Sequence, residues 1–152
     1  MIGSELAAFL QEGLGIHVGT CNAALEPSGT RAAAVLIEAD GAHVTVFMPT
    51  VGATSVLADL RANQQIAVSF GRPVDDRACQ VKGVFVEMRD ARDDEYDAVA
   101  RQWDAFLVNL EMIGIPRAAT QGWAMWPAVA VRFKPTAVFD QTPGPGAGKR
   151  TS

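Results

Sequence analysis

The sequence has few of the residues from which disulfide frameworks and nucleic-acid sites are built. Its 152 residues include two cysteines, Cys21 and Cys79, and 13 basic side chains stand against 17 acidic ones. Two separated cysteines do not make a disulfide framework, so we interpret both as small core residues of a protein in a reducing cytosol. A net charge of −4 opposes binding to a polyanionic backbone, so nucleic acid is not expected as a partner.

Metal ligands, nucleophile motifs and long apolar runs are also missing. His17 and His43 have no second ligand at a metal-binding spacing, so no metal site is predicted, and His17 is interpreted as an ordinary strand residue beside small neighbours. The chain has no Gly-x-Ser-x-Gly motif, which leaves catalytic residues unassigned. No apolar run reaches the roughly 18 to 20 residues of a bilayer span, and no N-terminal segment has a signal-peptide pattern, so we expect a cytoplasmic protein.

The sequence does contain a repeated alternation of apolar and small or polar residues. This alternation predicts strands over 16–22, 30–38, 43–48, 65–71, 79–89 and 128–139. Apolar residues at helical spacing predict a first helix capped by Ser4, a short crossing helix before Asn63, and a long amphipathic helix from Asp93 to about Leu110. The order predicts a mainly β, α+β fold, in which a small antiparallel barrel of six to seven strands carries the crossing helix and the long helix.

Several unusual segments have plain structural explanations. The acidic run from Asp93 to Asp97 suits the positive end of a helix dipole, and Trp103 continues the apolar stripe of the same helix. The glycines between Gly144 and Gly148 open no helix, so they are interpreted as part of a tail without regular structure and not as a phosphate loop. We therefore divide the chain into a folded domain over 1–140 and a Pro/Gly-rich tail over 141–152.

Polar side chains at strand ends and at the start of the crossing helix form the candidate site. A helix start with free N–H groups and hydroxyls is a natural anion site, and a strand-borne arginine nearby would complete a phosphate clamp. The residues that carry this prediction are Arg31, Thr50, Thr54, Ser55, Gln80 and Lys82. Trp123 and Trp126 lie in a loop, where they would cover either a planar ligand or a partner subunit, and the sequence leaves both readings open.

At these residues the sequence resembles the pyridoxamine 5'-phosphate oxidase-like family of FMN-binding split β-barrels. The resemblance covers nearly the whole chain and rests on the order and spacing of the segments 31–36, 47–50, 54–63 and 80–83. It implies a split β-barrel that forms a homodimer, with FMN in the cleft between two subunits. The residues implied at the FMN phosphate are Arg31, Thr50, Thr54 and Ser55. Those implied at the ring system and its cover are Gln80, Lys82 and Trp126.

Three cations that are frequent in the family are missing here. Members with firm FMN binding tend to carry an Arg-Lys pair at the start of the crossing helix, where this chain has Ser55 and Val56. The lysine that often closes the strand of Arg31 is Leu36. Because hydrogen bonds to charged groups contribute roughly 1.5–3 kcal/mol each, this loss would weaken phosphate binding by about two decades or more.

Three functions therefore stay open from the sequence. The first is a flavin-dependent oxidoreductase of unknown substrate, in which the cofactor performs hydride or electron transfer. The second, which the missing cations favour, is a module that binds flavin, deazaflavin, haem or a tetrapyrrole without turnover. The third is a cofactor-less dimeric interaction protein. Oxidation of pyridoxamine phosphate itself is disfavoured, because the chain is short and lacks a basic pocket for a second phosphate.

Overall fold

The computed structural model describes all 152 residues and contains each of the predicted strand and helix regions. The strands are β1 (Gly15–Cys21), β2 (Pro27–Ala32), β3 (Ala34–Ile37), β4 (Val44–Pro49), β5 (Gln65–Gly71), β6 (Ala78–Asp90) and β7 (Ala128–Asp140). The helices are α1 (Ser4–Leu10), α2 (Thr54–Asn63), α3 (Tyr96–Met112) and α4 (Arg117–Thr120), with a 3-10 turn at Asp93–Glu95 before α3. Sequence periodicity did not predict α4, because four residues are too few to show a helical period. No helix has both the length and the apolar character that a membrane crossing requires.

The seven strands form one antiparallel sheet in the order β2-β1-β5-β6-β7-β4-β3. The two edge strands, β2 and β3, are consecutive in the chain, but they do not pair with each other, so the barrel is not closed. Ala33 joins them, and its N–H donates to the carbonyl of Phe47 at 2.8 Å. The structure confirms the predicted antiparallel α+β fold, with seven strands, a short crossing helix and a long amphipathic helix.

The segment predicted as one strand over 30–38 is two strands. The chain bends at Ala33, because β2 pairs with β1 whereas β3 pairs with β4. The reversal before β2 also lies earlier than predicted. Pro27 already pairs with Cys21, and the turn is made by residues 22–26, with Leu25 at a φ of 63°. Proline is tolerated at this position because β2 is an edge strand.

Ser4 does not cap α1 as predicted, and α2 also begins without a side-chain cap. Gly3, and not Ser4, is the N-cap of α1, and Ala53 is the N-cap of α2, in each case without a capping hydrogen bond from a side chain. Instead, α2 is held by packing, since Val56 and Leu60 are fully buried. Helices of this length depend more on an apolar face buried in the fold than on their ends.

The inner face of the sheet encloses the main hydrophobic core. Inward-facing residues of β1 and β5 in this core are Ile16, Val18, Ile66, Val68 and Phe70. Asp59 of the crossing helix α2 is also buried, and its carboxylate accepts a hydrogen bond from the Thr20 hydroxyl at 2.8 Å. Cys79 belongs to this core as predicted, and burial raises the pKa of its thiol to about 11. Cys21, in contrast, is only partly buried.

Helix α3 covers one half of the outer face of the sheet. Its apolar stripe of Val99, Trp103, Phe106 and Leu110 packs against Ala33, Ala34, Phe47, Ala128 and Ala130. This packing confirms Trp103 as a core residue. Gln102 of the same helix also hydrogen-bonds the backbone at the edge of β3. Its side-chain oxygen accepts from the N–H of Val35 at 3.0 Å, and its side-chain nitrogen donates to the carbonyl of Val35 at 2.7 Å. Outward-facing residues of the other half, on β2, β1, β5 and β6, are exposed or half-buried.

The segment from Gln141 onward forms turns but no helix or strand, as its composition predicted. It is nevertheless tied to the fold. The N–H of Asp140 donates to the carbonyl of Lys149 at 2.9 Å, and the N–H of Thr151 donates to the carbonyl of Val138 at 2.8 Å. Through these hydrogen bonds the tail lies along the C-terminal part of β7, beyond the residues that pair with β4.

Candidate functional site

Four polar side chains lie side by side on the half of the outer face that α3 does not cover. The strand register pairs Arg31 with His17, His17 with Ser69, and Ser69 with Gln80. Directly opposite residues of antiparallel strands project to the same face, so the four form a line across β2, β1, β5 and β6. With neighbouring strands about 4.8 Å apart, this polar row spans about 14 Å from Arg31 to Gln80.

Small residues flank the polar row on both sides. The Lys82 groove, of about 280 Å³, is lined by Gly19, Ala67 and Lys82 among others. The Phe106 groove, of about 460 Å³, has Gly71 in its floor and Phe106 of α3 in its wall. Glycine and alanine leave both floors almost free of side chains, so a planar group has room to lie close to the sheet backbone.

Arg31 is a half-buried guanidinium without a carboxylate partner. Burial alone lowers the pKa of Arg31, and no acidic neighbour opposes that shift. Arg72, in contrast, is neutralised, since it pairs with Glu12 and Asp75, both at 2.7 Å. Because a partly buried charge is costly without a counter-charge, Arg31 favours the binding of an anion.

The charge of Arg31 acts on His17 beside it. Partial desolvation against the sheet and the positive charge of Arg31 together lower the pKa of His17 from 6.5, although solvent still reaches the ring. The imidazole is therefore neutral at pH 7, with one N–H donor and one acceptor. Sequence analysis missed the roles of His17 and Ser69 in this row. Alternation assigns each of them a face of its strand, but only the pairing of β1 with β5 places them together.

Gln80 and Lys82 lie at the β6 end of the same face. The side-chain amide of Gln80 donates to the Ser69 hydroxyl oxygen at 3.1 Å, which holds the amide in place. Lys82 is exposed, and its Nζ lies 5.0 Å from the centre of the Phe139 ring. The structure thus brings three of the predicted site residues, Arg31, Gln80 and Lys82, to one face of the sheet.

Thr54 and Ser55 lie at the entrance to α2, where their side chains are exposed. The loop before them turns at Gly52, which has a φ of +85° and lies beside β2, since a Cβ there would sit 3.7 Å from the Thr30 hydroxyl oxygen. Thr30 directly precedes Arg31. The loop into α2 therefore packs against β2 through Thr30, whose side chain projects to the face opposite that of Arg31.

Thr50 and Trp126 lie together at the other side of this loop. Thr50 donates to the carbonyl of Pro127 from its N–H at 2.9 Å and from its hydroxyl at 3.2 Å. Trp126 is half-buried and meets the ring of Tyr96 edge-on, with the ring centres 5.3 Å apart. Trp126 packs against the core under α3, whereas Trp123 is the tryptophan that reaches Arg31.

The positions of the three missing cations differ in the side chains that they would accept. Ser55 is exposed, so a longer charged side chain fits there. Val56 is fully buried in the barrel core, and Leu36 packs against the core under α3. In this chain Val56 and Leu36 belong to hydrophobic packing, so a lysine at either position would lose solvation.

Comparison with known proteins gives a match at the level of structure. No protein-family model and no curated protein matches the chain. An F420 reductase superposes with a TM-score of 0.59 at 17% identity, over 90% of this chain and 98% of its own. A putative pyridoxamine 5'-phosphate oxidase from Lactobacillus delbrueckii gives 0.55 at 13% identity, over 91% and 93%. An FMN-binding protein from Syntrophomonas wolfei gives 0.53 at 13% identity, over 97% and 85%.

These structures define the class of fold. The open antiparallel barrel described above is the split β-barrel of pyridoxamine 5'-phosphate oxidase-like proteins, as the sequence resemblance implied. At identities of 17% and below, the likeness is one of fold.

Proposed function

We propose that this chain binds a flavin-type cofactor, FMN in particular, along the polar row, and that it serves as a flavin-dependent oxidoreductase. The observation that carries the proposal is the half-buried guanidinium of Arg31, which has no carboxylate partner at one end of a row with a small-residue floor beside it. Solved proteins of the same fold include an FMN-binding protein and an F420 reductase, which supports a cofactor of this chemistry. The proposal assigns the cofactor site to residues 1–140 and treats 141–152 as a tail.

The residues of the polar row fit a phosphorylated planar ring system. Arg31 would hold the phosphate by charge-assisted hydrogen bonds, and the exposed hydroxyls of Thr54 and Ser55 stand at the loop beside its strand. About 14 Å away, Gln80 and Lys82 offer an amide and an ammonium group to the polar edge of the ring. The flat floor at Gly19 and Ala67 leaves room for the ring between these ends.

When bound, a flavin supplies hydride and electron transfer, and the chain supplies binding and orientation. Ser69 fixes the Gln80 amide, so this group is held in one orientation before any ligand arrives. Lys82 contributes positive charge at the Lys82 groove, which its side chain helps to line. His17, neutral at pH 7, offers a hydrogen bond in the middle of the row without adding repulsion to Arg31.

We also propose that two copies of the chain associate over this face and work in the cytoplasm. The outward-facing residues of β2, β1, β5 and β6 are exposed or half-buried, and the grooves between them are open to solvent. A second subunit would cover the ring and exclude water from it. Light scattering should give twice the mass of 16.1 kDa, and a monomer mass in the presence of bound cofactor would contradict this part of the proposal.

A second candidate is a module that binds a flavin or related ring without turnover. The first turn of α2 carries no basic residue, and the exposed site at Ser55 holds a hydroxyl instead. With Arg31 as the single cation at the phosphate end, binding is expected to be weaker than in a site that also carries the three missing cations. A weakly held cofactor suits transport or sensing better than repeated catalysis.

The experiment that tests the proposal is a titration of the cofactor-free protein with FMN, followed by flavin fluorescence, with riboflavin as the matched ligand that lacks the phosphate. We expect FMN to bind at least about tenfold more tightly than riboflavin, because the phosphate adds charge-assisted hydrogen bonds. Equal affinities would contradict the role of Arg31, and no binding would reject the proposal. Bleaching of bound flavin by NADPH, followed by reoxidation with a substrate, separates the oxidoreductase from the binding module.

A further inference from the structure

The Phe106 groove, on the side of the polar row away from Lys82, has the dimensions and lining of a second small-molecule site. Its volume of about 460 Å³ falls within the range of ligand pockets. Its floor is backbone, because Gly15 and Gly71 face each other across β1 and β5 with Ala78 beside them. The Phe106 ring and the prolines Pro73 and Pro143 line it with apolar surface. Aromatic and proline walls over a flat floor suit a planar ring.

Two neutral hydrogen-bonding groups border this groove along the polar row. His17 and Ser69 are directly opposite each other on β1 and β5, so their side chains lie about 5 Å apart on one face. The Ser69 oxygen already accepts a hydrogen bond from Gln80, which leaves its own proton free to donate. The neutral imidazole of His17 has one N–H to donate. Two donors at this spacing suit an acceptor oxygen between them.

The groove has no unpaired positive charge. Its lining holds one basic residue, Arg72, and one acidic residue, Asp76. Arg72 is already bound by two carboxylates, those of Glu12 and Asp75, each at 2.7 Å. Arg31, the unpaired guanidinium of the polar row, is not part of this lining. The groove therefore has no unpaired cation with which to hold a phosphate or a carboxylate.

We propose that the Phe106 groove binds an uncharged, planar ring compound through a carbonyl oxygen that accepts hydrogen bonds from Ser69 and His17. That this groove holds the substrate, next to the cofactor, rests on the proposed function. That the groove binds such a ring compound does not depend on it. The groove thereby selects neutral carbonyl-bearing rings over phosphorylated ones. The phosphate-binding end of the polar row, at Arg31, then serves the cofactor alone.

The structure offers a steric test that leaves the fold intact. A Cβ added at Gly71 meets no atom within 4 Å, so this position accepts a side chain, and Gly71→Leu extends one from the floor of the groove. Gly3→Leu is the matched control, since Gly3 also has open space around it and lies outside both grooves. The probe is coumarin, a neutral planar ring with a carbonyl, and its dissociation constant is measured by ligand-observed NMR titration. Each variant is also titrated with FMN.

We expect coumarin to bind the unchanged chain and the Gly3→Leu variant alike, and to bind Gly71→Leu at least about tenfold more weakly. Ser69→Ala should weaken coumarin several-fold, whereas Ser4→Ala, a hydroxyl deletion on α1, should not. Coumarin-3-carboxylate, the anionic analogue, should bind more weakly than coumarin. No coumarin binding, equal binding by Gly71→Leu, or tighter binding of the carboxylate would overturn the inference. Coumarin binding without FMN binding would instead reject the proposed function, while it would still support the Phe106 groove as a binding site for a neutral ring.

Discussion

The guanidinium carbon of Arg31 lies 3.6 Å from the centre of the Trp123 ring. A cation–π contact of this kind contributes about 0.5–1 kcal/mol at exposed sites and about 2 kcal/mol when desolvated. It holds the guanidinium at the end of the polar row without cancelling its charge. Arg31 is therefore positioned by an aromatic ring from a distant loop while its charge stays available to an anion.

Replacing Arg31 by alanine should weaken FMN binding by roughly ten- to a hundredfold, since it removes charge-assisted hydrogen bonds worth about 1.5–3 kcal/mol. Fluorescence titration gives the dissociation constant. Riboflavin affinity should change little in the same variant, because riboflavin has no phosphate. Arg101→Ala is the control: it removes the same charge from an exposed position on α3 and should leave FMN affinity unchanged. Equal losses in the two variants would show that only net charge matters.

Ser55→Arg should raise FMN affinity, because the proposed function assigns the phosphate to Arg31 and the start of α2, and Ser55 is an exposed position in the first turn of that helix. An increase of about tenfold corresponds to one added charge-assisted hydrogen bond. Val56→Lys, one position further, should instead destabilise the protein strongly, because Val56 is fully buried and the ammonium group would have no partner. Thermal unfolding measures the second effect. A Val56→Lys variant as stable as the unchanged chain would contradict the buried placement of this residue.

His17 should make the protein less stable as the pH falls below about 6.5. The pKa of His17 is lower in the folded chain than its ordinary value of 6.5, so between the two values the unfolded chain binds more protons. Stability then rises with pH through this range and is lost as the pH falls through it. His17→Gln keeps a neutral polar side chain and should flatten this part of the profile, measured as the free energy of unfolding in urea from pH 8 to pH 5. Parallel profiles for both proteins would show that His17 titrates normally.

Gly83→Ala should destabilise the protein by about 1–3 kcal/mol or more, because the added Cβ would overlap the Phe133 ring and lie 2.5 Å from the carbonyl oxygen of Lys134. Both obstacles belong to β7, which is paired with β6 at this point. Gly71→Ala is the matched control on β5, where the added Cβ meets open space. Denaturant unfolding of the two variants gives the comparison. Similar stabilities would indicate that β6 and β7 lie further apart than described.

Local sequence patterns predicted most of the architecture. Alternation of apolar with small or polar residues predicted the strand regions, and the stripe containing Trp103 predicted the buried side of α3. The errors lie where a non-local contact competes with a local signal. The strand over 30–38 is divided at Ala33 because its two halves pair with different strands, and α2 begins without a hydroxyl cap because its buried face already holds it.

The candidate site was predicted in part for the same reason. Arg31, Gln80 and Lys82 share one face, as strand alternation allows. Ser69 and His17 were missed because each is an unremarkable residue within its own strand. Trp126 lies with the covered half of the sheet, and Trp123 takes the place beside Arg31.

The sequence by itself determined the composition of each face, because the periods of strands and helices are local properties of the chain. The tertiary structure decided which faces meet. Strand order and register arise from the packing of residues far apart in the chain, so the alignment of Arg31, His17, Ser69 and Gln80 into one row could not be obtained from any single strand. The same long-range packing placed α3 over one half of the outer face and left the other half open for a ligand.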